Sequence, residues 1–398
     1  MRTRTYHDAL HRGITLSSNI PAELMIMELV DSAPFQRLRR IRQLGPAFLT
    51  FHGAESSRFT HSLGVFQIAR KAYKKLLVID PSLNKYEGVL YAAALLHDIG
   101  HAPLSHTGED MFGIKHEIWS SYIIKNHPEI KKILETYNSG TAIKVANLIE
   151  KGEIDRSIIK SLISGQLDCD RLDYLIRDSY STGTSYGLLD LERILKAITI
   201  APDGDLAIHP KGLMAVEHYL VLRNLMYRSV YNHRINEVCS WILEKIISLA
   251  RELGPNDIWV DRVMSKWLWE KDNIDINSYI SNDDIRTIYH LQRWAEEGPA
   301  QLSEMCSRFI NRDLLKAISI EKLGNELKLE ALSFARQSSS KMGMDPDITC
   351  GIKQQKFQSY LPYEGGLRLW DGSNLQAIEK TSPLIRGLIN PADASWLI

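Results

Sequence analysis

Apolar positions along this chain recur mostly every three to four residues, the spacing that puts them on one face of an α-helix. Phe35, Leu38, Ile41 and Leu44 make one such face, ringed by Arg37, Arg39, Arg40 and Arg42, and predict an amphipathic helix over 35–44. The same spacing predicts helices over 21–29, 61–77, 86–96, 103–111, 130–137, 141–150 and 154–163. Further along it predicts a helix from Arg171 to Asp178, a long one from Leu213 to Leu253, and three more over 258–270, 283–297 and 299–310. Strand-like alternation is scarce. Residues 5–20 read as an irregular or short-strand lead-in, and 197–209 as a β-hairpin turning at Asp203-Gly204. A loop at Ser338-Ser-Ser-Lys341 precedes strand-like pieces near 348–352 and 366–370. The expectation is a mainly α fold. Its helical core with a small β-hairpin occupies 1–253, and a smaller C-terminal α/β region, 254–398, serves structure or oligomerisation.

One predicted helix ends in reactive groups. The run Tyr91-Ala-Ala-Ala-Leu-Leu96 stops at His97-Asp98, followed by Gly100, which tolerates positive φ, and Pro103, which suits the start of a helix. Imidazole beside carboxylate suits a divalent metal ion, with Zn, Fe, Mn, Ni and Mg not distinguishable. Successive helical residues point about 100° apart, so further ligands must come from distant segments. Upstream, Arg58-Phe-Thr-His61 opens an amphipathic helix, and downstream Asp168-Cys-Asp170-Arg171-Leu-Asp173-Tyr174 offers three carboxylates. A lone histidine on an apolar helix is usually packed core, so here His61 and Asp170 stand only as candidate ligands to join His97-Asp98. Asp168 reads as the cap of the helix that follows. Tyr174 and Asp178 lie one and two turns beyond Asp170 on the same face. A second pair, His7-Asp8, has no apolar helix behind it and reads as a turn with local hydrogen bonds.

Composition narrows the setting without naming a partner. The 398 residues carry 48 basic and 48 acidic side chains, so no global field favours nucleic acid or a membrane surface. Four scattered cysteines without a CxxC pair fit a reduced compartment. With no apolar leader and no stretch long enough to span a bilayer, a cytoplasmic protein is expected.

In order, His61…His97-Asp98…Asp170 forms an H…HD…D pattern. Phe35-Gln-Arg-Leu-Arg-Arg-Ile-Arg-Gln43-Leu44-Gly45, Arg58-Phe-Thr-His61, Leu96-His-Asp-Ile-Gly-His-Ala-Pro-Leu-Ser-His106 and Asp170-Arg-Leu-Asp-Tyr174-Leu-Ile-Arg-Asp178 accompany it in sequence. Together they resemble the deoxynucleoside-triphosphate triphosphohydrolase branch of the HD-domain phosphohydrolases, well over residues 5 to 240 and weakly beyond. The resemblance implies an HD-domain helical core that hydrolyses dNTPs at the α-phosphorus to deoxynucleoside and inorganic triphosphate. It implies that His61, His97, Asp98 and Asp170 hold the metal, and that His101, His116 and Glu109 act at the scissile phosphate. Glu109 stands where some relatives carry Asp, which lengthens the arm of that acid. Gln43, Leu44, His106, Tyr174, Asp178 and Tyr231 would contact the nucleotide, and Arg58, Arg171 and Arg223 its phosphates. Asp31, Gln36 and Arg39 match a regulatory nucleotide site of some relatives, where a Mg-nucleotide activates a dimer or tetramer.

Two other classes compete. A different HD hydrolase acting on phosphoesters or single strands would need a wider groove with basic and aromatic flanks, which the balanced charge counts against. A nucleotide-binding regulator with a vestigial site would not need the retained His101 and His116. The chain has no P-loop and no HExxH. Gly183-Thr-Ser185-Tyr-Gly187 matches GxSxG, but a helix is predicted before it where a nucleophile elbow needs a strand.

Overall fold

The computed structural model describes residues 2–362 and 366–398. Helices dominate, as the apolar spacing predicts, and they surround the helix Glu87–Leu96. Every residue from Gly88 to Leu96 is buried. Ala92, Ala93 and Ala94 add almost no bulk, so neighbouring helices approach this one from all sides. Arg58–Ile79 lies along it, and Tyr91 meets Phe66 and Tyr73 edge-on with ring centroids 5.4 and 5.6 Å apart. Pro21–Asp31 and Thr141–Lys151 pack on further sides. All four cysteines are buried and unpaired. Among the described residues no helix is long and apolar enough to cross a membrane.

The helix Cys169–Thr182 packs against Arg58–Ile79, and Gly64 lies at their crossing. A Cβ there would stand 1.9 Å from Asp173 Oδ1 and 2.5 Å from Arg177 Nη2. Gly64→Ala is therefore expected to cost about 1–3 kcal/mol of unfolding free energy in a denaturant titration. A change below about 0.5 kcal/mol would mean that the helices part there freely.

Several elements differ from their sequence expectation. The lead-in is a regular antiparallel hairpin, Thr3–Asp8 with Arg12–Ser17, whose turn is held by Asp8 accepting the Leu10 and His11 amides. The amphipathic stretch 35–44 is helical only through Arg40, because Ile41 turns extended and Arg42 bridges to Ser57. The long helix breaks into Leu213–Met226, a π-helical turn Tyr227–Tyr231, and Arg234–Leu253. Ser338 to Lys341 close the helix Asn325–Lys341 instead of forming a loop, and Ser339 is buried against Thr349 through a 2.6 Å hydroxyl contact. The first strand-like piece lies later than expected, at Ile352–Phe357. Positive φ falls at Leu104 and Ser105, not at Gly100. Gly100 is needed for space instead, since a Cβ would meet the Ser120 amide at 2.2 Å.

The hairpin Ile198–Ile200 with Leu206–Ile208 forms as expected, and its second strand also pairs in parallel with Arg368–Trp370. Leu375–Ala377 completes that four-stranded sheet. One sheet thus ties the C-terminal region to the helical part. Ile318–Ser319, Ala392–Leu397 and Ile352–Phe357 make a separate three-stranded sheet.

Candidate active site

Ser57 caps the helix Arg58–Ile79 by accepting the Thr60 amide, so Arg58 and His61 share its first turn and face inward. Asp168 caps Cys169–Thr182 in the same way, accepting from Arg171 N, as the sequence leads one to expect. That places Asp170 in a first turn too. His97 and Asp98 follow directly after the buried helix Glu87–Leu96. Three helix ends therefore meet at one point.

His61 Nδ1 faces Asp173 Oδ2 at 2.8 Å, and His97 Nδ1 faces the Ala94 carbonyl at 3.0 Å. Both partners only accept, so both Nδ1 atoms carry the proton and both Nε2 atoms present lone pairs. Those Nε2 atoms lie 3.3 Å apart. Around them, Asp170 Oδ1 is 3.0 Å from His61 Nε2 and 3.7 Å from His97 Nε2, while Asp98 oxygens lie at 3.6 and 3.4 Å. Two imidazole nitrogens and the Asp170 carboxylate thus converge, with Asp98 beside them and its Oδ2 already paired with Arg58, an arrangement that suits a cation. Without one, a second proton must fill the gap. Burial opposes charge on His61, yet its bonds to Asp170 and Asp173 outweigh that and push its pKa up to about 10. Imidazole nitrogens with carboxylates fit a divalent transition metal or similar ion; the ligand atoms of His61, His97 and Asp170 lie close enough together to hold it, and Asp98 stands next to them at 3.6 and 3.4 Å.

The support beneath this cluster was not legible locally. Asp173 accepts from His61, from His11 Nε2 at 2.6 Å, and from Arg177 Nε at 2.7 Å, and Arg177 in turn pairs with Asp8. The N-terminal hairpin so orients His61 through a carboxylate, the usual companion of a ligating histidine.

A second group sits beside the first. Glu109 Oε1 accepts from His116 Nδ1 at 2.6 Å, with His101 Nδ1 at 3.1 Å and His106 Nδ1 at 3.3 Å beside it. His101 stacks on His116 with ring centroids 3.9 Å apart and places Nε2 3.1 Å from Asp98 Oδ1. Burial pushes His101 down to about 3, so that it stays neutral. Burial also opposes charge on His116, but the Glu109 carboxylate outweighs it and raises that pKa. The two stacked rings thus differ in charge, one neutral and one inclined to hold a proton. His106 is mostly exposed at the rim.

Arg58 is buried and fully engaged: Nη1 pairs with Asp98 Oδ2 at 2.7 Å, Nε donates to Ser105 Oγ, and Nη2 donates to the Gln43 carbonyl. Of these groups Arg58, Asp98, Asp170, His101, His106 and His116 border a cavity of about 370 Å3, which Gln43, Leu44, Tyr174, Asp178, Tyr227 and Tyr231 also line. Asp170, Tyr174 and Asp178 share one helix face, as their spacing predicts. Asp178 Oδ2 accepts from Tyr231 OH at 3.0 Å, its Oδ1 is buried without a partner, and burial pushes its pKa up to about 7. Arg171 also lines the cavity, with its guanidinium turned partly back to Asp168 and the Gly165 carbonyl. Arg223 does not line it, and its Nη1 donates to the Ser359 carbonyl. Glu117 and Tyr227 border the cavity without having been singled out, and the π-helical turn brings Tyr227 and Tyr231 to it together.

Asp31, Gln36 and Arg39 lie away from this cavity. Arg39 Nε donates to Gln36 Oε1 at 2.8 Å and the guanidinium covers the Phe59 ring, whereas Asp31 pairs with Arg4 at 2.6 Å.

Comparison with known proteins agrees with this geometry. The family described as HD domain matches residues 58–177, and the HD associated region matches 189–398. The chain is 35% identical over 366 residues to the uncharacterized protein YwfO of Bacillus subtilis, covering 91% of this chain and 81% of that protein. It is 29% identical over 237 residues to the deoxynucleoside triphosphate triphosphohydrolase SAMHD1 homolog of Dictyostelium discoideum, covering 55% of this chain and 45% of that protein. Its fold matches the crystal structure of a phosphohydrolase from Bacteroides thetaiotaomicron with a TM-score of 0.86 and 26% identity, across 100% of this chain and 99% of that one. With the cation cradle inside the matched domain and the associated region following it to the last residue, this chain belongs to the HD-domain phosphohydrolase family.

Proposed function

We propose that the protein hydrolyses deoxynucleoside triphosphates to deoxynucleoside and inorganic triphosphate. The observation that carries this reading is the buried, unpartnered Oδ1 of Asp178, a residue that lines the same nucleotide-sized cavity as Asp98 and Asp170. A buried oxygen in that position calls for a hydroxyl donor. A sugar 3′-hydroxyl supplies one, and Tyr174 with Gln43 would close the space at the 2′ carbon. Tyr231 or Tyr227 would stack on the base.

His61, His97, Asp98 and Asp170 would hold a divalent ion, which would supply charge stabilisation to the α-phosphoryl group and acidify water. Arg58 and Arg171 offset phosphate charge at the lining, and Arg223 adds to the same field from one layer behind. His116, whose pKa Glu109 raises, would deliver the proton that the leaving 5′-oxygen needs. His101, held neutral, and His106 at the rim would orient the phosphate. The reading also rests on likeness to the triphosphohydrolase relatives.

The test is direct. Purified protein supplied with Mn²⁺ or Mg²⁺ is incubated with each dNTP and rNTP, singly and mixed, and the products are separated by ion exchange. Deoxynucleoside with triphosphate, abolished by chelator, is the expected result. Monophosphate or diphosphate products, or turnover of oligonucleotides or other phosphoesters alone, would reassign the site to a different HD hydrolase.

A further inference from the structure

The segment joining His97-Asp98 to the helix Ser105–Phe112 is strained. Leu104 and Ser105 are consecutive non-glycine residues in the left-handed region, at φ 62° and 57°. Each such residue costs about 1 kcal/mol or more and persists only where its surroundings hold it. The holding groups come from residues 279–284, far along the chain.

Asp284 Oδ1 accepts the Leu104 amide at 2.7 Å, and Oδ2 accepts the Arg42 amide at 2.9 Å. Its side chain is only 4% exposed, so both bonds are shielded from water, and burial pushes its pKa up to about 6 against the two amide bonds. Nearby, Tyr279 OH donates to the Gly100 carbonyl. Buried Arg37 spans the same gap, donating from Nη2 to the His101 carbonyl at 2.8 Å and from Nε to the Asn282 carbonyl at 2.7 Å. The two chains tied by Asp284 are also tied to each other, because Ser105 Oγ donates to the Arg42 carbonyl at 2.6 Å and accepts from Arg58 Nε at 2.9 Å.

Arg42 precedes Gln43, and Leu104 lies between His101 and His106. We propose that Asp284, contributed by the HD-associated region, is a positioning residue of the active site: it clamps the backbones of 42–43 and 100–105 together and so sets Arg58, Gln43 and His101 without touching substrate. Its effect on rate rests on the hydrolytic reading of the cavity.

Asp284→Asn keeps the shape but offers one accepting oxygen to two amides. The variant and wild type are compared for kcat and KM on whichever phosphoester the wild type hydrolyses, for bound metal, and for amide hydrogen exchange. A misplacement of this kind is expected to lower kcat about 100-fold with KM changed by less than about threefold. Metal content should be unchanged, and exchange should quicken selectively at 42–45 and 100–106. Wild-type kcat, or a loss that merely tracks lost metal or fold-wide loosening, overturns the proposal. If the wild type turns over no substrate, the hydrolytic reading fails separately and exchange alone decides: unchanged protection at 100–106 overturns the clamp. Should Asp284→Asn not fold, Tyr279→Phe removes one bond of the same clamp while keeping the ring stacked on Trp119. It should give the same local change in smaller degree, and its absence counts against the proposal.

Discussion

Replacing His97 with alanine is expected to remove the bound metal and lower phosphohydrolase activity by at least about 1,000-fold, the scale of several kcal/mol of lost charge stabilisation. His97 Nε2 stands at the centre of the cradle, 3.3 Å from His61 Nε2 and within 3.7 Å of both Asp98 and Asp170. Its ring is held by a single bond to the Ala94 carbonyl at the end of a buried helix. Removing it should therefore leave the helix core folded. Metal content by elemental analysis, turnover and a melting curve check this together. A folded variant that keeps both metal and activity would sink the assignment of the cradle.

Glu109→Gln is expected to do the reverse: metal retained, activity down about 100- to 10,000-fold, the range for losing an acid–base group. Glu109 Oε1 accepts from His116 with His101 and His106 close by, and a neutral amide lacks the negative charge that favours a proton on the His116 ring. The sign on pH follows from His116, whose pKa in the intact protein is raised mainly by Glu109 against the opposing effect of burial. Its charged form is present below that raised value and lost above it. Removing the carboxylate lowers the value, so the variant should regain part of its activity as pH falls, where the wild type gains less. Wild-type turnover in Glu109→Gln, or a pH profile that does not move, would remove His116 from the role of proton donor.

Legibility in the sequence followed the range of the interaction involved. The cradle's order was readable because each group sits at a helix end that announces itself locally: Ser57 before Arg58, Asp168 before Cys169, an alanine-rich run before His97. The common face of Asp170, Tyr174 and Asp178 was readable because helical periodicity alone sets it. Where a backbone group is claimed from afar, local pattern misleads. The stretch 35–44 has a sound amphipathic face, but continuing the helix would need the Arg42 amide, which Asp284 takes. Ser338 to Ser340 look like a loop by composition, and burial of Ser339 against Thr349 keeps them helical. The apolar spacing from Leu213 to Leu253 shows no breaker at the π-helical turn, whose two tyrosines face the cavity.

By itself, then, the sequence determined a mainly α chain, the H…HD…D order of candidate ligands and the helix faces that carry it, since these depend on periodicity and on capping within a few residues. Only the tertiary structure decided which groups support that order. Asp173 reaches His11 across 162 positions and Asp284 reaches Leu104 across 180, and no local pattern encodes such a partner. The same holds for the charges of the site. Burial pushes the His101 pKa down while one carboxylate raises that of the stacked His116, and that contrast exists only once the helices have packed.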